Sequence, residues 1–321
     1  MAKFGFPPLA AGPPSRRNWY KELLDDPECN GNPVSEVTQR TRGFVTDSLQ
    51  IRVQEAYETH REAWREKQIE LFTNTETNPV IPDQALIKHL ARHKRLRNGH
   101  HLDEKDDTDA QEINCCVIWA RPPSTVLDTI RTIQNDLIQL IGDDLYVISR
   151  EDLHLSVIEL SHRHTVSQLR SVAGEIGTLR IQNILDLVST LSIKPGLVAP
   201  TISFDKMGIA LNYLPSDAIS YTYHHLRSDM HAVALDSGIK GIDMCYTAPS
   251  AHITIGRFIS NKFFETAEAR KKFVQLVKDL NDVQRGEKDA WTVGESQGLE
   301  MQLGYLKFGR ESDKADLVGK V

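Results

Sequence analysis

Two short motifs in this sequence combine a histidine with a hydroxyl residue two positions later. They read HLSV at residues 154–157 and HITI at residues 252–255, and each lies in an apolar segment. Side chains two positions apart on a β-strand point to the same face of the sheet. Each motif is therefore expected to present one imidazole and one hydroxyl together, His154 with Ser156 and His252 with Thr254.

These four side chains supply the groups that cleavage of a phosphodiester needs. An imidazole has an ordinary pKa of ~6.5, so at neutral pH one copy can accept a proton from water while the other donates one to a departing alkoxide. Hydroxyls can donate hydrogen bonds to the non-bridging phosphoryl oxygens. We predict His154 and His252 as the acid-base pair and Ser156 and Thr254 as phosphate-binding residues, without a metal or cofactor. Which histidine is the base stays open.

The elements that must position the motifs follow from the hydrophobic pattern after residue 112. Strands are predicted at 113–120, 201–213 and 251–259, and two strand-like pieces joined at residues 150–152 are predicted within 145–160. Helices are predicted at 126–141, 166–191, 216–237 and 262–283, with Ser216 as a helix cap. Strand and helix alternate in the same order in two halves, and the second half adds a hairpin-like pair from WTVGE and LEMQLGYLKF. One such motif is weak evidence in a chain with 12 histidines, but one copy in each half is strong evidence for a shared site.

The first third of the chain differs from the rest. Residues 1–45 are rich in Pro, Gly and Arg and predict an irregular arm. Residues 46–72 and 83–97 predict two helices, the first long and amphipathic, and the acidic segment HHLDEKDDTDAQE predicts a solvated linker up to residue 112. We therefore expect a helical extension at 46–112 and one two-lobed domain at 113–321.

The segments around the motifs resemble those of a known superfamily. INCCVIWARPP, REDLHLSVIEL, YTAPSAHITIGRF and WTVGESQGLEMQLGYLKFG are similar to the 2H phosphoesterases, and within them to the LigT-like fungal RNA ligase/cyclic nucleotide phosphodiesterase family, over about residues 45–310. The resemblance implies a two-lobed α/β (α+β) fold with pseudo-two-fold symmetry, in which two antiparallel-rich sheets face a central groove. It also implies hydrolysis of a 2′,3′-cyclic nucleotide, an RNA end or a short 2′-5′ oligonucleotide. The first motif has Ser156 where this family more often has threonine, so the hydroxyl is kept.

Strand alternation gives further candidates. Phe258 is expected on the same face as His252, where it would stack on a base or wall the groove, with a packing role as the alternative. Arg257 is expected on the opposite face. Trp119 and Tyr146 lie on strands that could edge the groove, with burial in the core as the alternative for both.

A zinc site can be imagined at His89 and His93, which are spaced i, i+4 on a predicted helix, with His100 and His101 beyond. Interleaved lysines and arginines would repel a metal ion, so a basic surface is the preferred interpretation. Cys245 lies near the second motif, but no histidine adjacent in sequence supports a Cys-His pair.

Composition limits the partners. The net charge of −6 on 321 residues disfavours binding of long nucleic acid. The four cysteines fit a reducing compartment, cytoplasmic or nucleocytoplasmic. A monomer is expected. The expected partner is a nucleotide or short RNA phosphoester, and neither a membrane span nor a signal peptide is predicted. Two alternatives stay open: a non-catalytic nucleotide-binding or interaction module, and a His-pair enzyme acting on a non-nucleotide substrate in fungal specialised metabolism.

Overall fold

The structure is a computed structural model that describes residues 47–74, 76–97, 114–162, 164–236, 238, 248–283, 290–306, 309–310 and 314–321. The predicted N-terminal arm, the acidic linker and Cys245 lie outside these residues. No helix in the described part of the chain is both long enough and apolar enough to cross a bilayer.

The described residues form seven α-helices. They are α1 (Asp47–Asn74), α2 (Gln84–Arg97), α3 (Ser124–Ile141), α4 (Val166–Ile176), α5 (Thr178–Thr190), α6 (Tyr223–Leu235) and α7 (Ala267–Val283). Most bounds agree with the hydrophobic pattern, because apolar residues at helical spacing are buried, as at Val126, Ile130, Ile133 and Leu137 of α3.

Two predicted helices differ from the observed ones. The segment 166–191 is two helices, because Gly177 at φ 86° interrupts it. The last helix of the central region begins at Tyr223 rather than near Ser216, since Thr222 and His225 form a capping box there. Ser216 instead accepts a hydrogen bond from the amide of Ala218, which makes a local turn.

Nine strands form one hydrogen-bonded sheet in the order β7-β4-β5-β6-β3-β1-β8-β9, with β2 paired to β6. The strands are β1 (Cys115–Ala120), β2 (Leu145–Val147), β3 (Leu155–His162), β4 (Gly196–Phe204), β5 (Gly208–Pro215), β6 (Ala251–Phe258), β7 (Trp291–Thr292), β8 (Leu299–Gly304) and β9 (Leu317–Val318). All the pairings are antiparallel, which together with the helices confirms the α+β class.

Apart from β2, the sheet of the described residues has two halves of four strands each, with the motif strands β3 and β6 at the centre. In place of the expected two facing sheets, the structure has one sheet. Its halves are joined between β3 and β6 by the pair Leu155 and Ile253. The predicted C-terminal hairpin is wrong, because β7 pairs with β4 in one half while β8 pairs with β1 in the other. Each half thus gains a strand on an edge that would otherwise be unpaired.

Helix α1 packs into the same hydrophobic core as the sheet. Val53, Tyr57 and Phe72 belong to the main cluster of buried side chains, and the Phe72 ring lies 4.8 Å from that of Phe204 on β4. The predicted domain boundary at residue 112 lies outside the described residues, but helix α1 on its N-terminal side shares the core of the 113–321 region.

Candidate active site

One cross-strand pair brings the two motifs together. Leu155 and Ile253 are directly opposite each other and both are fully buried in the core. Because alternate residues of a strand face opposite ways, their neighbours project from the other face of the sheet. The four residues on that face are half-buried: His154, Ser156, His252 and Thr254. The structure therefore places all four predicted residues on one face around the strand junction.

The loop before β3 fixes the ring of His154. Its Nδ1 atom lies 2.6 Å from the carbonyl oxygen of Asp152, and because a carbonyl can only accept, Nδ1 carries the proton. Nε2 of the neutral ring therefore has a lone pair. Arg121 holds the same loop by donating to the carbonyl oxygens of Glu151 at 2.8 Å and Leu153 at 3.1 Å.

The environment of His252 is different. Its Nδ1 atom is 3.1 Å from the hydroxyl oxygen of Ser250, which donates a long hydrogen bond of 3.5 Å to Oδ1 of Asn212. The Asn212 amide in turn donates to the hydroxyl of Ser203. A hydroxyl has one proton, so while Ser250 donates to Asn212 it can only accept from His252, which places the proton of the neutral ring on Nδ1.

A second buried arginine spans the gap where β3 and β6 separate. Arg227 of α6 is fully buried and donates to the carbonyl oxygen of Val157 on β3 at 3.0 Å and to that of Ala248, before β6, at 2.9 Å. It also donates to the hydroxyl of Tyr57 on α1 at 3.1 Å. These bonds connect β3, the segment before β6 and helix α1 through one buried side chain.

Burial makes both motif histidines weak bases. It lowers the pKa of His154 to about 3, and nearby Arg121 and His252 also lower this pKa. The hydrogen bond to the Asp152 carbonyl acts in the opposite direction and raises it. Burial also lowers the pKa of His252 to about 4, with Arg257 contributing. Both histidines are neutral at pH 7, and a bound anion would raise both pKa values.

A β-bulge on β6 changes the predicted faces after Thr254. Thr254 pairs with Ala210 of β5, whereas Gly256 pairs with the adjacent residue Ile209, so Ile255 is an extra residue on β6. An extra residue in one strand reverses the face of every side chain that follows it.

The bulge exchanges the predicted positions of Arg257 and Phe258. Arg257 lines the same cleft as His252 and Thr254, and Phe258 is fully buried, with its ring 4.8 Å from that of Phe264 in the core. The predictions that Phe258 walls the groove and that Arg257 faces away are therefore wrong. Simple alternation cannot reveal a bulge.

Trp119 and Tyr146 have different surroundings. Trp119 is buried, yet its ring stacks on that of His154, so the residue is both a packing residue and a neighbour of the site. Tyr146 is half-buried and pairs with Arg257 across β2 and β6. Burial raises its pKa, and nearby Asp152 raises it further.

Most of the candidate zinc ligands lie outside the described residues. The ring of His89 lies 4.9 Å from that of Tyr305, while the side chain of His93 and residues 98–113 lie outside the described residues. Within the described part of the chain, no three His, Cys, Asp or Glu side chains are grouped as metal ligands.

The sequence interpretation missed the contribution of α1 to the site. Tyr57, His60, Arg61 and Trp64 line a cleft whose other lining residues include His252 and Thr254. The apolar periodicity predicted this helix but carried no signal for the part of the sheet that it covers. Arg121 and Arg227 were also missed, because each acts on backbone carbonyls distant in sequence.

Comparisons with known proteins give only distant likenesses. No family model matches the chain, and no curated protein matches it by sequence. A conserved protein of unknown function from Agrobacterium tumefaciens aligns over 67% of this chain and 94% of its own, with 11% identity and a TM-score of 0.41. Usb1 from Kluyveromyces marxianus aligns over 61% of this chain and 96% of its own, with 14% identity and a TM-score of 0.34.

Proposed function

We propose that this chain is a phosphodiesterase of the 2H phosphoesterase type, which opens a cyclic phosphodiester at a ribose. The observation that carries the proposal is the Leu155–Ile253 pair, which places two imidazoles and two hydroxyls on one face of the sheet. Paired histidines can supply both proton transfers of hydrolysis, and paired hydroxyls can bind the phosphoryl oxygens, so no resident metal is required.

His154 is proposed as the general base. The Asp152 carbonyl keeps its proton on Nδ1, so Nε2 can accept a proton from the attacking water. The water oxygen forms a bond to phosphorus as the bond from phosphorus to one ribose oxygen breaks. His252, the other imidazole of the site, then acts as the general acid and donates the proton that this ribose oxygen takes up. After product release, a proton passes from His154 to His252 through solvent.

Electrostatics around the site support an anionic substrate. Arg257 and Arg227 lie near His252, and Arg310 and Arg121 lie near His154, although Arg121 is also paired with Glu300 at 3.3 Å. A phosphodiester anion bound between the two histidines would offset these charges and raise the pKa of His252 toward the value that a general acid needs. Ser156 and Thr254 would donate to the non-bridging oxygens.

The proposed substrate is a 2′,3′-cyclic nucleotide, a cyclic RNA end or a short 2′-5′ oligonucleotide. The small set of aligned side chains and the net charge of −6 favour a small phosphoester over a long RNA held along its backbone.

Hydrolysis of 2′,3′-cyclic nucleotides by purified variants tests the proposal. His154→Ala and His252→Ala should each reduce kcat by at least about a hundredfold while the fold is kept. His164→Gln, in the loop after β3, is the matched control and should keep the wild-type rate. Activity should also survive EDTA. Wild-type rates in either alanine variant, or nucleotide binding without hydrolysis by the wild type, would contradict the proposal.

A further inference from the structure

A cleft extends from His252 and Thr254 between helix α1 and the β4–β5 hairpin. Tyr57, His60 and Trp64 form the helix wall. The sheet wall comes from residues on β4 and β5, including Ala210, which pairs with Thr254. A group bound in this cleft and a phosphate held at the motif residues could therefore belong to one small molecule.

Helix α1 is held firmly over the sheet. The Tyr57 hydroxyl lies 3.0 Å from Nδ1 of His224 and accepts a hydrogen bond from Arg227. One turn further along, Arg61 donates at 2.7 Å to the carbonyl oxygen of Ala199. Ala199 has a φ of 50° and lies at a bulge of β4. The helix wall is therefore fixed at two points before any ligand binds.

The cleft offers aromatic faces on which a planar heterocycle can stack. Trp64 and Phe204 line it together with polar residues. Two charged residues of the lining are already engaged within the protein: Arg61 donates to the carbonyl oxygen of Ala199, and Asp205 accepts hydrogen bonds from the amides of the turn that follows it. Ligand pockets of this kind combine apolar walls with a few polar groups that fix orientation.

We infer that this cleft binds the base of a nucleotide substrate and that Trp64 is a specificity residue on which the base stacks. The inference rests on the proposed function, because it assumes a phosphoester at the motif residues. Trp64 is half-buried in the wall, and Lys67 lies 5.9 Å from its ring centroid. Helix α1 thus extends the site from a phosphate-binding face to a nucleotide-binding cleft.

Calorimetric titration tests this inference without requiring turnover. The probes are adenosine 3′-monophosphate, uridine 3′-monophosphate and inorganic phosphate. Trp64→Ala and Trp64→Leu should weaken nucleotide binding by about tenfold or more, because stacking is lost in both, whereas Trp64→Phe should retain most of the affinity. Phosphate binding should stay the same in all three, which also shows that the motif residues are intact. An equal loss for phosphate and nucleotide, or wild-type nucleotide affinity in Trp64→Leu, would overturn the inference.

Turnover separates this inference from the proposed function. For a 2′,3′-cyclic nucleotide, Trp64→Leu should raise KM by about tenfold with little change in kcat. A methyl riboside 2′,3′-cyclic phosphate lacks a base, so for this substrate Trp64→Leu should change neither KM nor kcat. Equal effects on the two substrates would overturn the base site alone. Trp64-dependent nucleotide binding with no hydrolysis of either substrate would overturn the hydrolase and support the base site.

Discussion

The indole of Trp119 stacks on the imidazole of His154, with ring centroids 3.6 Å apart and an angle of 11° between the planes. The Arg121 guanidinium lies 5.0 Å from the indole ring, and its hydrogen bonds hold the loop that carries His154. The imidazole is therefore held by stacking on one face and by the Asp152 carbonyl at one edge. This arrangement orients the ring before a substrate arrives.

Trp119 is predicted to be a positioning residue. Trp119→Leu should lower kcat for a cyclic nucleotide by about tenfold or more with little change in KM, because the ring of His154 loses its fixed orientation. Trp119→Phe, which keeps an aromatic face, should restore most of the rate. Steady-state kinetics and a kcat–pH profile measure both variants. An unchanged kcat in Trp119→Leu would show that stacking does not orient the base.

Acid should destabilise the protein through its motif histidines. Their pKa values of about 3 and about 4 in the folded state lie below the unfolded value near ~6.5. The unfolded chain therefore binds more protons below pH 6.5, and stability that is complete above this pH is lost as the pH falls toward 4. Urea unfolding at pH 7.5 and pH 5.0 measures the loss.

A double variant isolates the contribution of these two histidines to acid sensitivity. Between pH 7.5 and pH 5.0, the free energy of unfolding of the His154→Gln/His252→Gln variant should fall by about 2 kcal/mol less than that of the wild type. This figure allows for solvent screening at half-buried rings. His164→Gln should behave as the wild type. The same pH dependence in the double variant and the wild type would contradict the low pKa values.

The β6 bulge predicts opposite effects for two adjacent residues. Arg257→Gln should raise KM or lower kcat for an anionic substrate by about tenfold with little loss of stability, because Arg257 faces the cleft. Phe258→Leu should leave kinetics unchanged and cost about 1–2 kcal/mol of unfolding free energy, because it opens space in the core. Kinetics and urea unfolding of both variants provide the comparison. The reverse assignment of effects would place Phe258 in the cleft.

Arg227 is predicted to be required for the junction between the two halves of the sheet. Arg227→Met should reduce the unfolding free energy by about 3 kcal/mol or more, because a buried side chain that bonds the Val157 carbonyl, the Ala248 carbonyl and the Tyr57 hydroxyl loses all three hydrogen bonds. Tyr57→Phe removes only the hydroxyl and should cost about 1–2 kcal/mol. Denaturant unfolding measures both. A smaller loss in Arg227→Met than in Tyr57→Phe would contradict this role.

The two hydroxyls are predicted to act on the transition state. Thr254→Val removes the donor at nearly constant volume and should lower kcat by about a hundredfold, while Thr254→Ser should retain most of the activity. Ser156→Ala should behave like Thr254→Val. Single-turnover rates at saturating cyclic nucleotide measure the effect. A change confined to KM would indicate that the hydroxyls bind the ground state only.

Much of the architecture was accessible from the sequence because strand and helix periodicities are local. The helix predicted at 46–72 is α1, and the strand predicted at 251–259 is β6. The sequence pattern did not indicate which strands pair with which. WTVGE and LEMQLGYLKF are neighbours in the chain, yet β7 and β8 extend opposite halves of the sheet, because partner choice depends on which edges are open.

The chain by itself determined the four candidate residues of the site, since the period of two in a strand brings a histidine and a hydroxyl to one side in each motif. Only the tertiary structure decided that the two motifs meet, through Leu155 and Ile253, and that a bulge exchanges the positions of Arg257 and Phe258. It also decided that α1 brings Trp64 to the cleft beside His252. Local pattern specifies which side chains share a face, whereas register and packing between distant segments specify which faces meet.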